Sequence, residues 1–402
     1  MSAPLQTLKI LDFSTLLPGP YASMMLADLG ADVIRIEAPN RPDLTRLLPP
    51  FAEDGQSAQH ALLNRSKRSL GLNLKTPEAV QIVQQLVASG YDIVLEQFRP
   101  GVMDRLGVGY EALRAICPSL IFGSLTGYGQ TGPYKERAGH DVNYLALSGL
   151  LSFYGRSTPS QPPPPLPVQV ADIGGGSLHL VIGLLAAVIR RQATGEGGRL
   201  DIAMHDGALA WNTLGAAKWL VSGENPAPET EVLNGGSFYD LYETKDGRFL
   251  SVGALEPKFW QGFCQAIGHE ALFTPGLNFT VTNQQSFKAH IRAAIQAKTL
   301  AEWQAIFAKL DVCVEPVLTT EEALTHPQTA AREMVVAVSV GNGRFQPQIA
   351  SPIKLSDHTP AYPFTGTALG AHTQEILSTL GYTPAQIEAL AAQEVVAYPP
   401  TD

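Results

Sequence analysis

The sequence predicts an α/β fold, with a large domain on a parallel β-sheet followed by a smaller α+β domain. Two observations predict it. Short apolar runs alternate with helical patterns from residue 8 to residue 125, and helices that alternate with strands join them in parallel. From about Gly235 the texture changes, and Phe238–Glu243 and Arg248–Ala254 flank Asp246-Gly247, a strong hairpin signal.

The elements follow in order. Leu8–Ser14 is a β run that ends before Gly19-Pro20. Tyr21–Leu29 has apolar residues at helical spacing, Gly30 caps it, and Val33–Glu37 is the second strand. Residues 40–68 are polar and rich in Pro and Arg, and read as loop. Pro77–Ala88 is helical, with Pro77 and Glu78 suited to a first turn. Tyr91–Gln97 and Leu120–Leu125 are strands, with a helix over Glu111–Ile116 between them.

Ser157–Pro167 holds the prolines 162–165 and reads as an extended surface connection. Asp172 and Gly174-Gly175-Gly176 then open an apolar helix to Arg191. Its core, Leu178–Ile189, is too short to span a bilayer and reads as buried. Leu200–Met204 is a further strand. In the second domain, helices are expected over Phe259–Ile267, Gln285–Ile295 and Leu300–Lys309, with a strand over Val312–Leu318. The last 70 residues are Pro- and Thr-rich, then weakly helical over Thr373–Ala392. The expected division is 1–195 for the large domain, 196–224 for a linker helix region, 225–330 for the small domain, and 331–402 for a segment returning to the large one.

Composition narrows the function. A net charge of -9 argues against nucleic acid, whose phosphates need a basic face. Three scattered cysteines form neither a disulfide framework nor a zinc pattern and suit a reducing compartment. No signal peptide or C-terminal targeting tripeptide is visible, so a cytoplasmic protein is the expectation. Cys313, between Val312 and Val314, reads as buried and inert.

Three places carry candidate chemistry. Gly139-His140-Asp141 offers an imidazole able to take and return a proton near neutral pH, beside a carboxylate. Asp172, before three glycines, reads either as a helix N-cap or as a reactive carboxyl. The glycines and first-turn N–H groups there would admit a ligand and hold an enolate oxygen. Glu256 ends a strand before a helix and reads as a solvated or helix-start charge, or as a site residue. Arg65, Lys67 and Arg68 form a basic knot, and Arg99 and Arg105 flank Pro100-Gly101. Such clusters are solvated faces or diphosphate binders. Gly127-Tyr128-Gly129 belong to a flexible loop before His140 that runs into Pro133, so its match to a dinucleotide fingerprint is weak. No metal-spaced His/Cys set and no P-loop occurs.

Four long motifs together resemble the family III CoA-transferase superfamily (CaiB/BaiF type). They are LKILDFSTLLPGPYASMMLADLGADVIRIEAP at 8–39, RPGVMDRLGVGYEALR at 99–114, LTGYGQTGP at 125–133, and ADIGGGSLHLVIGLLAAVIRRQATGEGGRLDIAMHDG at 171–207. Within it, AGHDVNY at 138–144, VGALEP at 252–257 and LDVCVEPVL at 310–318 resemble the α-methylacyl-CoA racemase branch. The resemblance implies a Rossmann-like large domain and an interlocked homodimer, with each site between the large domain of one subunit and the small domain of the other. It implies an acyl-CoA substrate, coenzyme A entering as part of that substrate with no other cofactor, and a place in lipid metabolism. His140 and Asp172 would be the two acid/base residues, Glu256 would hydrogen-bond the imidazole, and Asp141 would support the pair. Arg105 would contact a CoA phosphate, with Arg65, Lys67, Arg68, Arg99, Gly127, Tyr128 and Gly129 as further candidates for the CoA site. The alternatives are a CoA-transferase working through an anhydride on Asp172, and a non-catalytic acyl-CoA-binding protein. The prolines at 162–165 depart from the pattern and bear on substrate choice.

Overall fold

A computed structural model describes residues 3–157, 163–279 and 281–400, so residues 158–162 of the Pro-rich stretch, Pro162 included, lie outside the described residues. The chain divides into two compact units. The larger comprises 1–145, 167–211 and 328–402, and the smaller 146–166 and 212–327. Two boundaries differ from expectation. Residues 198–211, expected in a linker, form a strand and a helix of the larger unit, and 146–166 belongs to the smaller one.

The larger unit is built on six parallel strands. They are β1 (Lys9–Asp12), β2 (Asp32–Glu37), β3 (Arg68–Leu72), β4 (Ile93–Glu96), β5 (Ile121–Thr126) and β6 (Gly198–Ala203). In space the order is β3-β2-β1-β4-β5-β6, and Val396–Ala397 adds a short antiparallel edge beside β3. The chain winds outward from β1 to β3, then returns to the other side of β1. This reversal opens a crevice beyond the carboxyl ends of β1 and β4, where ligands bind in open α/β sheets. Strands β1, β4 and β5 are almost wholly buried, so they read as continuous apolar runs rather than alternating ones. The helix Pro77–Ala88 begins where Thr76 accepts the Ala79 N–H, and it buries Ala79, Ile82, Val83, Leu86 and Val87 along one stripe.

The smaller unit carries the hairpin β7 (Asp240–Glu243) and β8 (Phe249–Val252), extended by β9 (Val314–Pro316). Gly247 takes a positive φ of 72° at the turn, as the Asp-Gly signal requires. Its core is aromatic, with Phe238 stacked on Trp260 at 3.9 Å and Trp303 and Phe263 fully buried. Arg156, just before the Pro-rich stretch, pairs with Glu229 and Asp240.

Several expectations are corrected. The supposed loop 40–68 contains the helix Ala58–Leu63. The C-terminal region holds a second hairpin, β10 (Val335–Gly341) and β11 (Arg344–Ile349), turning at Gly341-Asn342-Gly343. Cys313 is exposed, because only its backbone is engaged, its carbonyl accepting the Gly253 N–H at 2.8 Å. The apolar helix is longer than expected: Ala171–Thr194 is continuous over 24 residues, long and apolar enough to cross a membrane by those measures alone. Leu180, Val181, Leu184 and Val188 are buried along one face of it, while Ile182 and Ile189 are exposed on another.

The first eight residues of that helix, Ala171–Leu178, form a wide π-turn, a geometry enriched at functional sites. The following helix Met204–Trp211 presses directly on it. A methyl on Gly175 would come within 2.8 Å of the Met204 carbonyl, and one on Gly207 would collide with the Gly175 carbonyl. Gly207→Ala is therefore expected to destabilise the fold by about 1–3 kcal/mol through overpacking. A lower midpoint of denaturant unfolding is the check, and an unchanged midpoint would contradict the close approach.

Candidate active site

The candidate site grows from the long crossover between β5 and β6. After Thr126 the chain turns at Gly129 (φ 83°), whose N–H donates to the Thr126 hydroxyl at 2.9 Å. His140 immediately precedes the helix Asp141–Leu147. Its backbone is held twice by Asn143: its N–H donates to Asn143 Oδ1 at 3.0 Å, and its carbonyl accepts the Asn143 N–H at 2.8 Å. The His140 side chain is exposed.

Asp141 then reaches the start of the π-turn, its Oδ1 accepting the Asp172 N–H at 3.0 Å and its carboxylate also accepting from the Ala171 N–H. The Ile173 N–H is taken by the Gln169 carbonyl at 2.9 Å. Two sequence expectations change here. The carboxylate that caps this helix is Asp141, not Asp172. Its first N–H groups are also occupied, so they do not form the expected oxyanion site. The glycines serve close helix packing instead: Gly174 lies against Trp211, Gly175 against the Met204–Trp211 backbone, and Gly176 against Met204 and Leu125.

Freed from capping, the Asp172 carboxyl accepts no hydrogen bond and meets no cation among the described residues. Burial, and then the negative charge of Asp141, push its pKa up to about 7. Asp141 is also raised by burial, offset by the two N–H groups it accepts. No group of three or more metal-ligating side chains occurs among the described residues.

The model of CoA-transferase family III matches residues 5–373. The chain belongs to this family. It is 35% identical over 399 residues to α-methylacyl-CoA racemase of Mus musculus, across 98% of this chain and 97% of that one. It is 33% identical over 392 residues to succinate–glutarate CoA-transferase of Agrobacterium fabrum, across 94% and 96%. A solved CAIB/BAIF family protein from Brucella suis superposes with a TM-score of 0.81 at 30% identity, over 94% of this chain and 100% of that one.

In this family III protein the remaining candidates separate by burial. Arg65 is buried and grips Asp28 with two hydrogen bonds, Nε at 2.8 Å and Nη2 at 2.6 Å. Lys67 is buried too, donating to the Pro20 carbonyl at 2.8 Å and Asn64 Oδ1 at 3.1 Å, with Asp12 at 3.6 Å; burial lowers its pKa to about 7. Arg68 is half-buried and pairs with Asp32 and Glu375. The basic knot is thus spent on internal pairs, a correction to its reading as a diphosphate site. Arg99 and Arg105 are exposed just beyond the carboxyl end of β4, beside the crevice, and enter no ion pair among the described residues. Gly127 backs onto the Tyr144 ring, and Tyr128 lies edge-on to Tyr134 and Tyr144. Glu256 lies in the smaller unit, exposed before the helix Pro257–Ala266, with no hydrogen bond into that helix start. Tyr144 is a site residue that the sequence does not single out; Gly127 and Gly139 both precede it in the chain and flank its ring only in space.

Arg65→Ala is expected to cost about 3–5 kcal/mol of stability by stranding Asp28. Arg105→Ala, at an exposed position, should change stability by no more than about 0.5 kcal/mol while raising KM for an acyl-CoA. Denaturant melts and steady-state kinetics on both variants check this; the reverse pattern would restore Arg65 as a ligand contact.

Proposed function

We propose that this family III protein racemises 2-methylacyl-CoA thioesters by moving the α-proton through an enolate, with His140 and Asp172 as the two acid/base groups. One observation carries the reading: the Asp172 carboxyl is left without a hydrogen-bond partner among the described residues and is held beside Asp141, so burial and then that like charge push its pKa up to about 7. A two-base racemase needs this group as an acid in one direction and as a base in the other, and a pKa near the working pH supplies both forms. An anhydride-forming nucleophile must be ionised to attack, and burial beside Asp141 opposes that. The 35% identity to racemases supports the same reading.

In one direction neutral His140 takes the α-proton and protonated Asp172 returns one to the opposite face; the reverse direction exchanges the roles. The enolate oxygen needs donors. The N–H groups of Asp141 and Val142 start their helix without a hydrogen-bond partner among the described residues and are assigned this task. Coenzyme A enters as part of the substrate, and no other cofactor is required. The reading includes a cytoplasmic, interlocked homodimer working in lipid metabolism, in which Glu256 of one protomer serves His140 of the other. The exposed apolar side chains of Leu214, Trp219, Leu220 and Val221 support self-association.

A second reading, a CoA-transferase forming an anhydride on Asp172, is favoured by relatives of that name at 30–33% identity. The two separate cleanly. One enantiomer of a 2-methylacyl-CoA, incubated in D2O with no second acid, is expected to racemise and take up deuterium at the α-carbon. His140→Ala should slow racemisation by about 10²–10⁴-fold. No exchange, together with hydroxylamine trapping at Asp172 once a free acid is added, would install the transferase.

Both directions use the same total number of protons on the pair, so kcat/KM should follow one bell-shaped pH profile for both enantiomers. Asp141→Asn removes a like charge that raises Asp172, so the profile should move toward acid. A shift toward alkaline pH would contradict the electrostatics.

A further inference from the structure

We propose that Tyr144 is a positioning residue for His140, its hydroxyl latching the peptide from which the imidazole projects. This rests on the racemase reading. The Tyr144 hydroxyl donates to the Gly139 carbonyl at 2.6 Å. Its ring is buried in a slot between two glycines, where a methyl on Gly127 or on Gly139 would come within 2.7 Å of it. The Tyr128 ring closes the slot edge-on at 5.2 Å. The Tyr144 N–H also reaches back to the His140 carbonyl at 3.3 Å.

His140 is therefore fixed on three sides of its backbone, by Asn143 at its N–H, by Asn143 and Tyr144 at its carbonyl, and by the hydroxyl at the preceding carbonyl. The imidazole itself is exposed, with no hydrogen bond among the described residues of its own chain. A phenylalanine would fill the same slot equally well, so packing alone does not call for a hydroxyl. Burial and the nearby charges of Asp172 and Asp141 raise the phenol pKa, which keeps the proton on it for the Gly139 carbonyl. The hydroxyl has only that one proton. It is not given to Asp172, whose carboxyl stays without a donor.

The test separates exchange at the two faces of the enolate. Each enantiomer presents its α-proton to one base only, so α-proton washout with retention in D2O reports His140 and Asp172 separately. In Tyr144→Phe, washout is expected to fall about 10- to 100-fold for the enantiomer whose washout His140→Ala abolishes. For the other enantiomer it should change by less than about threefold, with KM for both little altered. Gly139→Ala, whose methyl displaces the same ring, should reproduce the one-sided defect. An equal fall for both enantiomers, or no fall, would overturn the latch while leaving the racemase reading intact. If the unaltered enzyme exchanges neither enantiomer, the racemase reading fails and the latch with it.

Discussion

The site depends on one contact, the carboxylate of Asp141 accepting the N–H groups that open the π-turn. A helix start needs an acceptor for its unpaired donors. Because Asp141 supplies it, Asp172 does not have to. Asp172 is left half-buried, with no donor to its carboxyl among the described residues and near the like charge of Asp141, and each of these conditions favours its neutral form. The same contact binds the residue following His140 to the segment carrying Asp172, although 31 residues of chain separate the two aspartates.

The sheet supplies the frame. The winding of strands outward from β1 in both directions leaves a crevice at their carboxyl ends, and Arg99, Arg105 and the 127–139 loop all follow strands that end there. Glycines then set the distances between layers. Gly175 and Gly207 let two helices touch backbone to backbone, and Gly127 and Gly139 admit the Tyr144 ring. In both places the absent side chain serves protein packing rather than ligand entry.

Much of this was legible in the sequence. The alternation of apolar runs marked five of the six parallel strands, β3 excepted, and Asp246-Gly247 marked the hairpin of the smaller unit, because both signals are local. The motif resemblance pointed to the family and to His140, Asp141 and Asp172. What escaped was non-local. Nothing in Arg65-Ser66-Lys67-Arg68 says that Asp28 and Asp12 lie within reach, so a structural ion-pair set read as a phosphate-binding knot. Asp172 stands at a helix start and looks like its own cap until Asp141 arrives from another helix. Cys313 lies between two valines, yet it sits at a bend just before β9 with its side chain exposed. The second hairpin at Val335–Ile349 was hidden by Pro347 and by the surrounding Pro- and Thr-rich texture.

The most direct test is to titrate Asp172 itself. Carbon-13 labelling of the aspartate carboxyls, with the Asp172 resonance assigned by its loss in Asp172→Asn, would give the midpoint in the folded protein. A midpoint close to 7 agrees with a carboxyl kept neutral by burial and by Asp141. A midpoint near the ordinary aspartate value of about 4 would mean that the carboxyl is ionised throughout the working range, and the two-way proton exchange would have no acid on that face.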